Sequence, residues 1–212
     1  MAEVIREIPG AVGPLEILID KPSGAPRAVV VFAHPLPTEG GTMHTKCVFQ
    51  ASKALSRIGC VVLRFNFRGV GRSAGSWDEG RGEIDDFRAA VNYMAGEYPG
   101  MEMWAAGFSF GSYIAGSVGA EDDRICALIM IGPPVNKYDF SGVKTSTKPK
   151  FIVHGEADEL IPIKAVREFY AQLSEPKEFV EIDSANHLFD GQATEVGDAL
   201  EGLLEDFSCK TQ

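Results

Sequence analysis

Apolar residues in this chain gather into short continuous runs, separated by segments in which they recur every three to four positions. Ala28–Ala33 (AVVVFA), Cys60–Phe65, 101–106, Ile125–Ile131, 150–154 and 178–182 are the runs. A strand covered on both faces needs such continuity, whereas a half-exposed strand alternates. Between the runs, Cys47, Ala51, Leu55 and Ile58 share one helical face over 46–58, with Gly59 behind them as a stop. Ile84, Phe87, Val91 and Met94 mark a second amphipathic helix, and 110–119, 164–173 and 194–207 predict three more. The first stretch differs: 4–8 and 15–19 are short alternating runs separated by Pro9-Gly10 and Gly13-Pro14, which predicts an antiparallel start. The repeated order of strand, loop and helix then predicts an α/β fold with a mostly parallel sheet of about eight strands and helices on both faces.

Composition narrows the class. At 212 residues, 45% hydrophobic and 24% charged, the chain is expected to form one globular domain spanning 1–212. A formal net charge of -10, with no Lys/Arg cluster to offset it, excludes nucleic acid and anionic membrane surfaces as partners. No run approaches membrane-spanning length, and Met1 to Ile8 has no basic head or apolar core of signal-peptide length, so a cytoplasmic protein is expected. Cys47, Cys60, Cys126 and Cys209 form no C-x-x-C pair and are expected as reduced thiols. No Cys/His spacing supports a structural zinc.

The candidate chemistry lies at the ends of the predicted strands. Gly107-Phe108-Ser109-Phe110-Gly111 places a Gly-x-Ser-x-Gly motif between a buried strand and a helix. Small residues two positions either side of Ser109 allow the sharp turn that lifts its hydroxyl above the sheet edge. A serine hydroxyl is a poor nucleophile at neutral pH, so it needs a base, and the base needs a partner that fixes its tautomer. Of the four histidines, His187 alone falls in the last quarter of the chain, after the final strand. His154 is too close to the acid loop to serve as the distal base. Asp158 lies in the loop after the penultimate strand, where Glu156 and Glu159 compete for the same role. The order Ser109, Asp158, His187 is that of nucleophile-elbow hydrolases. An oxyanion hole needs two donors: the N–H of Phe110, and an N–H from the His34-Pro35-Leu36-Pro37 loop, where Leu36 alone in the centre of the tetrad has one to give.

Other residues carry weaker signals. His34 reads as a hydrogen-bonded scaffold for the oxyanion loop and His44 as a polar loop residue. Gly69 to Ala74 fits a dinucleotide fingerprint on paper, but Gly75, Ser76, Trp77 and Gly80 stand where the phosphate-binding helix should begin. Phe67, Trp77, Phe108, Phe110, Tyr138 and Phe189 fall near the strand ends, and some are expected to wall an acyl-binding site.

On these motifs the chain resembles the α/β-hydrolases, specifically small capless bacterial serine hydrolases with a His-Pro-x-Pro oxyanion loop. Asn66 to Ser73 (Asn-Phe-Arg-Gly-Val-Gly-Arg-Ser) and Gly132 to Asn136 resemble the same group. The resemblance implies a Ser109-Asp158-His187 triad, a hole formed by Leu36 and Phe110, and ester hydrolysis without a cofactor, in a monomer or homodimer acting on a small-molecule ester, with a thioesterase or peptidase on the same triad, or a non-catalytic binding protein of this fold, as the alternatives. Leu36 departs from the pattern, since related sequences often carry a second histidine there. With 18 residues between the sixth and seventh strands (132–149), no full lid is expected.

Overall fold

A computed structural model describes residues 6–209. One eight-stranded sheet in the order β1-β2-β4-β3-β5-β6-β7-β8 runs through it. Its strands are β1 (Arg6–Gly10), β2 (Gly13–Asp20), β3 (Ala28–Ala33), β4 (Cys60–Phe65), β5 (Glu102–Phe108), β6 (Ile125–Ile131), β7 (Lys150–Gly155) and β8 (Lys177–Ile182). β1–β2 and β2–β4 pair antiparallel and the remaining pairs are parallel. The expected antiparallel start is therefore present, although Val4 and Ile5 lie outside the described residues. Its turn is not at Pro9-Gly10: β1 continues through both, Pro9 pairs with Pro14, and Ala11-Val12 form the tip. An edge strand tolerates proline because the missing N–H need not face a partner.

The continuous apolar runs are the centre of the sheet. In β3, Val29, Val31 and Ala33 enter one core layer while Ala28, Val30 and Phe32 enter the other, so the two-residue period of a strand fills both faces. Helices α1 (Lys46–Arg57) and α6 (Ala193–Leu204) cover the second layer through Cys47, Leu55, Val196 and Leu200. Helices α2 (Arg81–Glu97), α3 (Phe110–Glu121), α4 (Ser141–Thr145) and α5 (Ile163–Gln172) cover the first, through residues such as Phe87, Ile114, Val143 and Val166. The five expected helices are present; the five-residue α4 and a 3-10 turn at Pro37–Glu39 are too short for periodicity to mark. Among the described residues no helix is long and apolar enough to cross a membrane.

The cysteine expectation holds for Cys47 and Cys60, which are free and buried, and fails for the other two. Cys126 at the start of β6 and Cys209 in the C-terminal tail form a disulfide, with Cα atoms 6.2 Å apart. The tail beyond α6 turns back under the amino edge of the sheet, and an 83-residue separation gave no local sign of the pairing.

Candidate active site

The nucleophile turn begins where β5 ends. Ser109 stands between β5 and α3 with φ 51° and ψ -121°, a conformation that costs a non-glycine residue about 1–3 kcal/mol. It is held there by its N–H, which donates to Ile131 O at 2.8 Å, and by the Ser112 hydroxyl donating to its carbonyl at 2.7 Å. The two flanking glycines are required by close approach. A Cβ on Gly107 would lie 2.1 Å from Gly111 O, and one on Gly111 would lie 2.3 Å from Ala33 O. The second contact brings the end of β3, and with it the His34 loop, against the start of α3.

Ser109 Oγ is 2.9 Å from His187 Nε2, and His187 Nδ1 is 2.7 Å from Asp158 Oδ2. Asp158 can only accept from this ring, so Nδ1 carries the proton and Nε2 is left free to accept from the serine. Glu156 and Glu159 do not take this place. Glu156 accepts from Ser184 N–H, and Glu159 accepts a long 3.4 Å bond from His187 N–H. Asp158 is buried, and its other oxygen accepts from Leu160 N–H at 2.9 Å and Ile161 N–H at 2.8 Å. Burial pushes its pKa upward; the His187 and Ile161 hydrogen bonds and the neighbouring imidazoles outweigh this, leaving it below the ordinary carboxylate value.

The two proposed oxyanion donors line the same cavity as Ser109 and His187. Among the described residues neither Leu36 N–H nor Phe110 N–H has a hydrogen-bond partner. The Pro35–Leu36 peptide is held from behind by His34, whose Nδ1 lies 2.6 Å from Pro35 O while Nε2 accepts from Phe67 N–H at 3.1 Å. These partners require the Nδ1–H tautomer. A trans peptide carries its C=O and N–H in opposite directions, so fixing Pro35 O also fixes the direction of Leu36 N–H. Complete burial lowers the His34 pKa to about 4, which keeps the ring neutral.

The cavity measures about 480 Å³ and is walled by Pro35, Leu36, Phe110, Pro134, Tyr138 and Ile161, with Glu39, Lys137 and Glu159 also lining it. Leu160 (49% exposed) and Leu188 (53%) stand at its rim, and they are two of only three exposed large hydrophobic side chains among the described residues. Of the six aromatics expected near the site, Phe110 and Tyr138 line the cavity, Phe110 with its ring buried in the core. Phe67, Phe108 and Phe189 are instead core, and Trp77 packs on Phe110 at 5.1 Å. The sequence signal placed them at strand ends without saying which way each ring turns. The Gly69–Ala74 stretch is a loop, with α2 beginning at Arg81, so the helix a nucleotide fingerprint needs does not follow it. His44 is an exposed loop residue. Missed in the sequence were Leu160 and Leu188, whose only signal is an apolar residue directly beside or near a polar catalytic candidate.

Comparison with known proteins gives the family. The family model described as "Serine aminopeptidase, S33" matches residues 24–144, more than half the chain. A solved α-β serine hydrolase homologue from Coxiella burnetii superposes with a TM-score of 0.91 at 38% identity, covering 96% of this chain and 98% of that one. The chain belongs to the α/β serine hydrolases. A second solved serine hydrolase, from Xanthomonas campestris and described as lacking a lid, is 36% identical with a TM-score of 0.89, covering 95% of this chain and 93% of that one. This hydrolase is likewise lidless, since α4 and its flanks are all that joins β6 to β7. It is also 31% identical over 134 residues to a monoacylglycerol lipase of Mycolicibacterium smegmatis, spanning 60% of this chain and 46% of that protein.

Proposed function

We propose that this hydrolase cleaves carboxylic esters through an acyl-enzyme, with Ser109 as nucleophile. His187 takes the Ser109 proton as the hydroxyl attacks the ester carbonyl, and Asp158 offsets the charge that forms on the ring. The oxyanion rests on the N–H groups of Leu36 and Phe110. His187 then returns the proton to the departing alkoxide, and the alcohol leaves. In the second half it activates water against the acyl carbonyl, and the tetrahedral collapse releases the acid and regenerates Ser109. The observation that carries this reading is the unbroken hydrogen-bond chain from Ser109 Oγ through His187 to Asp158, opening into an apolar cavity. None of these steps calls on a cofactor.

The wall of prolines, aromatics and leucines favours an apolar acyl group, and the absence of a lid between β6 and β7 leaves the site open to solvent and to bulky or polar esters. The monoacylglycerol lipase likeness supports esters of this kind. An amidase reading has one observation in its favour: Glu39 and Glu159 line the cavity and suit a protonated amine, in keeping with the aminopeptidase in the family description. Rates on 4-nitrophenyl esters, acyl thioesters and aminoacyl 4-nitroanilides separate the classes. Ester turnover that falls about a thousandfold or more in Ser109→Ala, with the fold unchanged, supports the proposal. A panel on which anilides alone are cleaved would replace the ester assignment, and a folded protein inert on every substrate would point to a ligand-binding role.

A further inference from the structure

His154 is the penultimate residue of β7 and is fully buried, yet the triad chemistry does not use it. Its Nε2 lies 2.9 Å from Ile161 O, a group that can only accept, so Nε2 carries the ring proton. The same Nε2 is 3.5 Å from Asp158 Oδ2, the oxygen that also faces His187 Nδ1. Nδ1, left with a lone pair, has no hydrogen-bond partner among the described residues. An unpaired buried nitrogen carries a cost that an apolar ring of similar volume would not.

The hydrogen bonds around it form a closed frame. Ile161 donates its N–H to Asp158 Oδ1 and accepts His154 Nε2–H at its carbonyl, so this one residue is gripped at both ends. Leu160 N–H adds a second bond to Asp158 Oδ1. The remaining charged groups nearby are Glu159 on the same loop and Glu181 opposite His154 on β8, the latter paired to Arg167 of α5. Burial keeps His154 neutral by lowering its pKa, so it acts as a hydrogen-bond donor rather than as a second cation.

We propose that His154 is a positioning residue whose Nε2–H fixes the 158–161 loop, so that Asp158 Oδ2 stays aimed at His187 Nδ1. This deepens the triad reading and rests on it. The test compares His154→Phe, which keeps an aromatic ring but has no donor, with His154→Gln, whose amide nitrogen reaches the position of Nε2. For the Phe variant, kcat on a 4-nitrophenyl ester is expected to fall about 10- to 100-fold with KM within twofold, and the Gln variant to recover most of the loss. Proton NMR supplies a readout independent of turnover: the wild type is expected to show a strongly downfield His187 Nδ1–H signal, which should shift upfield or broaden in His154→Phe and persist in His154→Gln. Equal kcat in all three proteins with an unmoved signal would overturn the proposal. So would equal losses in both variants, which would assign His154 to packing. If the wild type turns over no substrate, the triad reading fails on that arm, and the NMR comparison still decides whether His154 holds Asp158 toward His187.

Discussion

The two edges of the sheet are built on different principles. At the carboxyl edge, short segments of sequence each set one group of the site in place. A pentapeptide turns Ser109 outward, a four-residue loop places Leu36 N–H, and the 156–161 loop presents Asp158. At the amino edge the C-terminal tail is tied down from far away. The Arg27 guanidinium donates to the carbonyls of Leu204, Glu205 and Phe207, the last at 2.9 Å. Glu102 accepts from Ser208 Oγ and Cys209 N–H, Phe207 packs on Trp104 and Phe151, and Cys209 is bonded to Cys126. The carboxyl edge holds the strained turn at Ser109 and the free N–H groups of Leu36 and Phe110, whereas the amino edge holds fasteners. Changes at the first should alter rate with little effect on stability, and changes at the second the reverse.

The largest expected effect is at the triad. Asp158→Asn keeps the size of the side chain but removes the charge that holds His187 in the Nδ1–H tautomer, so kcat is expected to fall on the order of 10³- to 10⁴-fold, read by steady-state kinetics, with thermal unfolding little changed. Next comes His34→Gln. Loss of the grip on Pro35 O loosens the Leu36 donor, and kcat should drop about 10- to 100-fold.

His34 also makes a stability prediction. Its folded pKa of about 4 lies below the ordinary 6.5, so the unfolded chain takes up the proton first. The stabilisation from the neutral ring is complete above about pH 6.5 and is lost as pH falls toward 4. Protonation at Nε2 would also set a donor against Phe67 N–H. Denaturant titrations should therefore show wild type losing stability over that range more steeply than His34→Gln. Equal slopes would mean that the ring accepts its proton in place.

Smaller effects sharpen the contrast. Leu160→Ser with Leu188→Ser should flatten the dependence of kcat/KM on acyl chain length by roughly three- to tenfold between a butyrate and an octanoate ester, because each buried methylene is worth about 0.8 kcal/mol. At the opposite edge, Cys209→Ser should leave kcat within twofold while lowering unfolding stability by about 2–4 kcal/mol. Thiol titration of the unreduced, denatured protein should find two reactive thiols, those of Cys47 and Cys60, and four after reduction. A Cys209→Ser variant with impaired turnover would dissolve the division between the edges.

The same division explains what could be read in advance. Ser109, Asp158, His187, Leu36 and Phe110 each carry a local signal, since strand end, loop chemistry and chain order confine them. The parallel sheet was legible because β3 to β7 must be apolar on both faces. The Cys126–Cys209 bond and the Arg27 clamp were not, because they depend on where a tail lands after α6, which no nearby residue encodes. Ring direction was equally hidden: Phe108 and Phe110 flank Ser109, yet Phe108 packs into one core layer against Phe189 while Phe110 packs into the other against Phe67, Trp77 and Tyr138. His154 was visible as a histidine near the acid, but its tautomer follows only from the position of Ile161 O.

The central claim is that His187 and Asp158 activate Ser109, and intact-mass labelling with a fluorophosphonate tests it most directly. The account predicts one adduct on wild type, none on Ser109→Ala and a strongly slowed adduct on Asp158→Asn. A folded wild type that takes no label, or a Ser109→Ala variant that labels as fast as wild type, would contradict it.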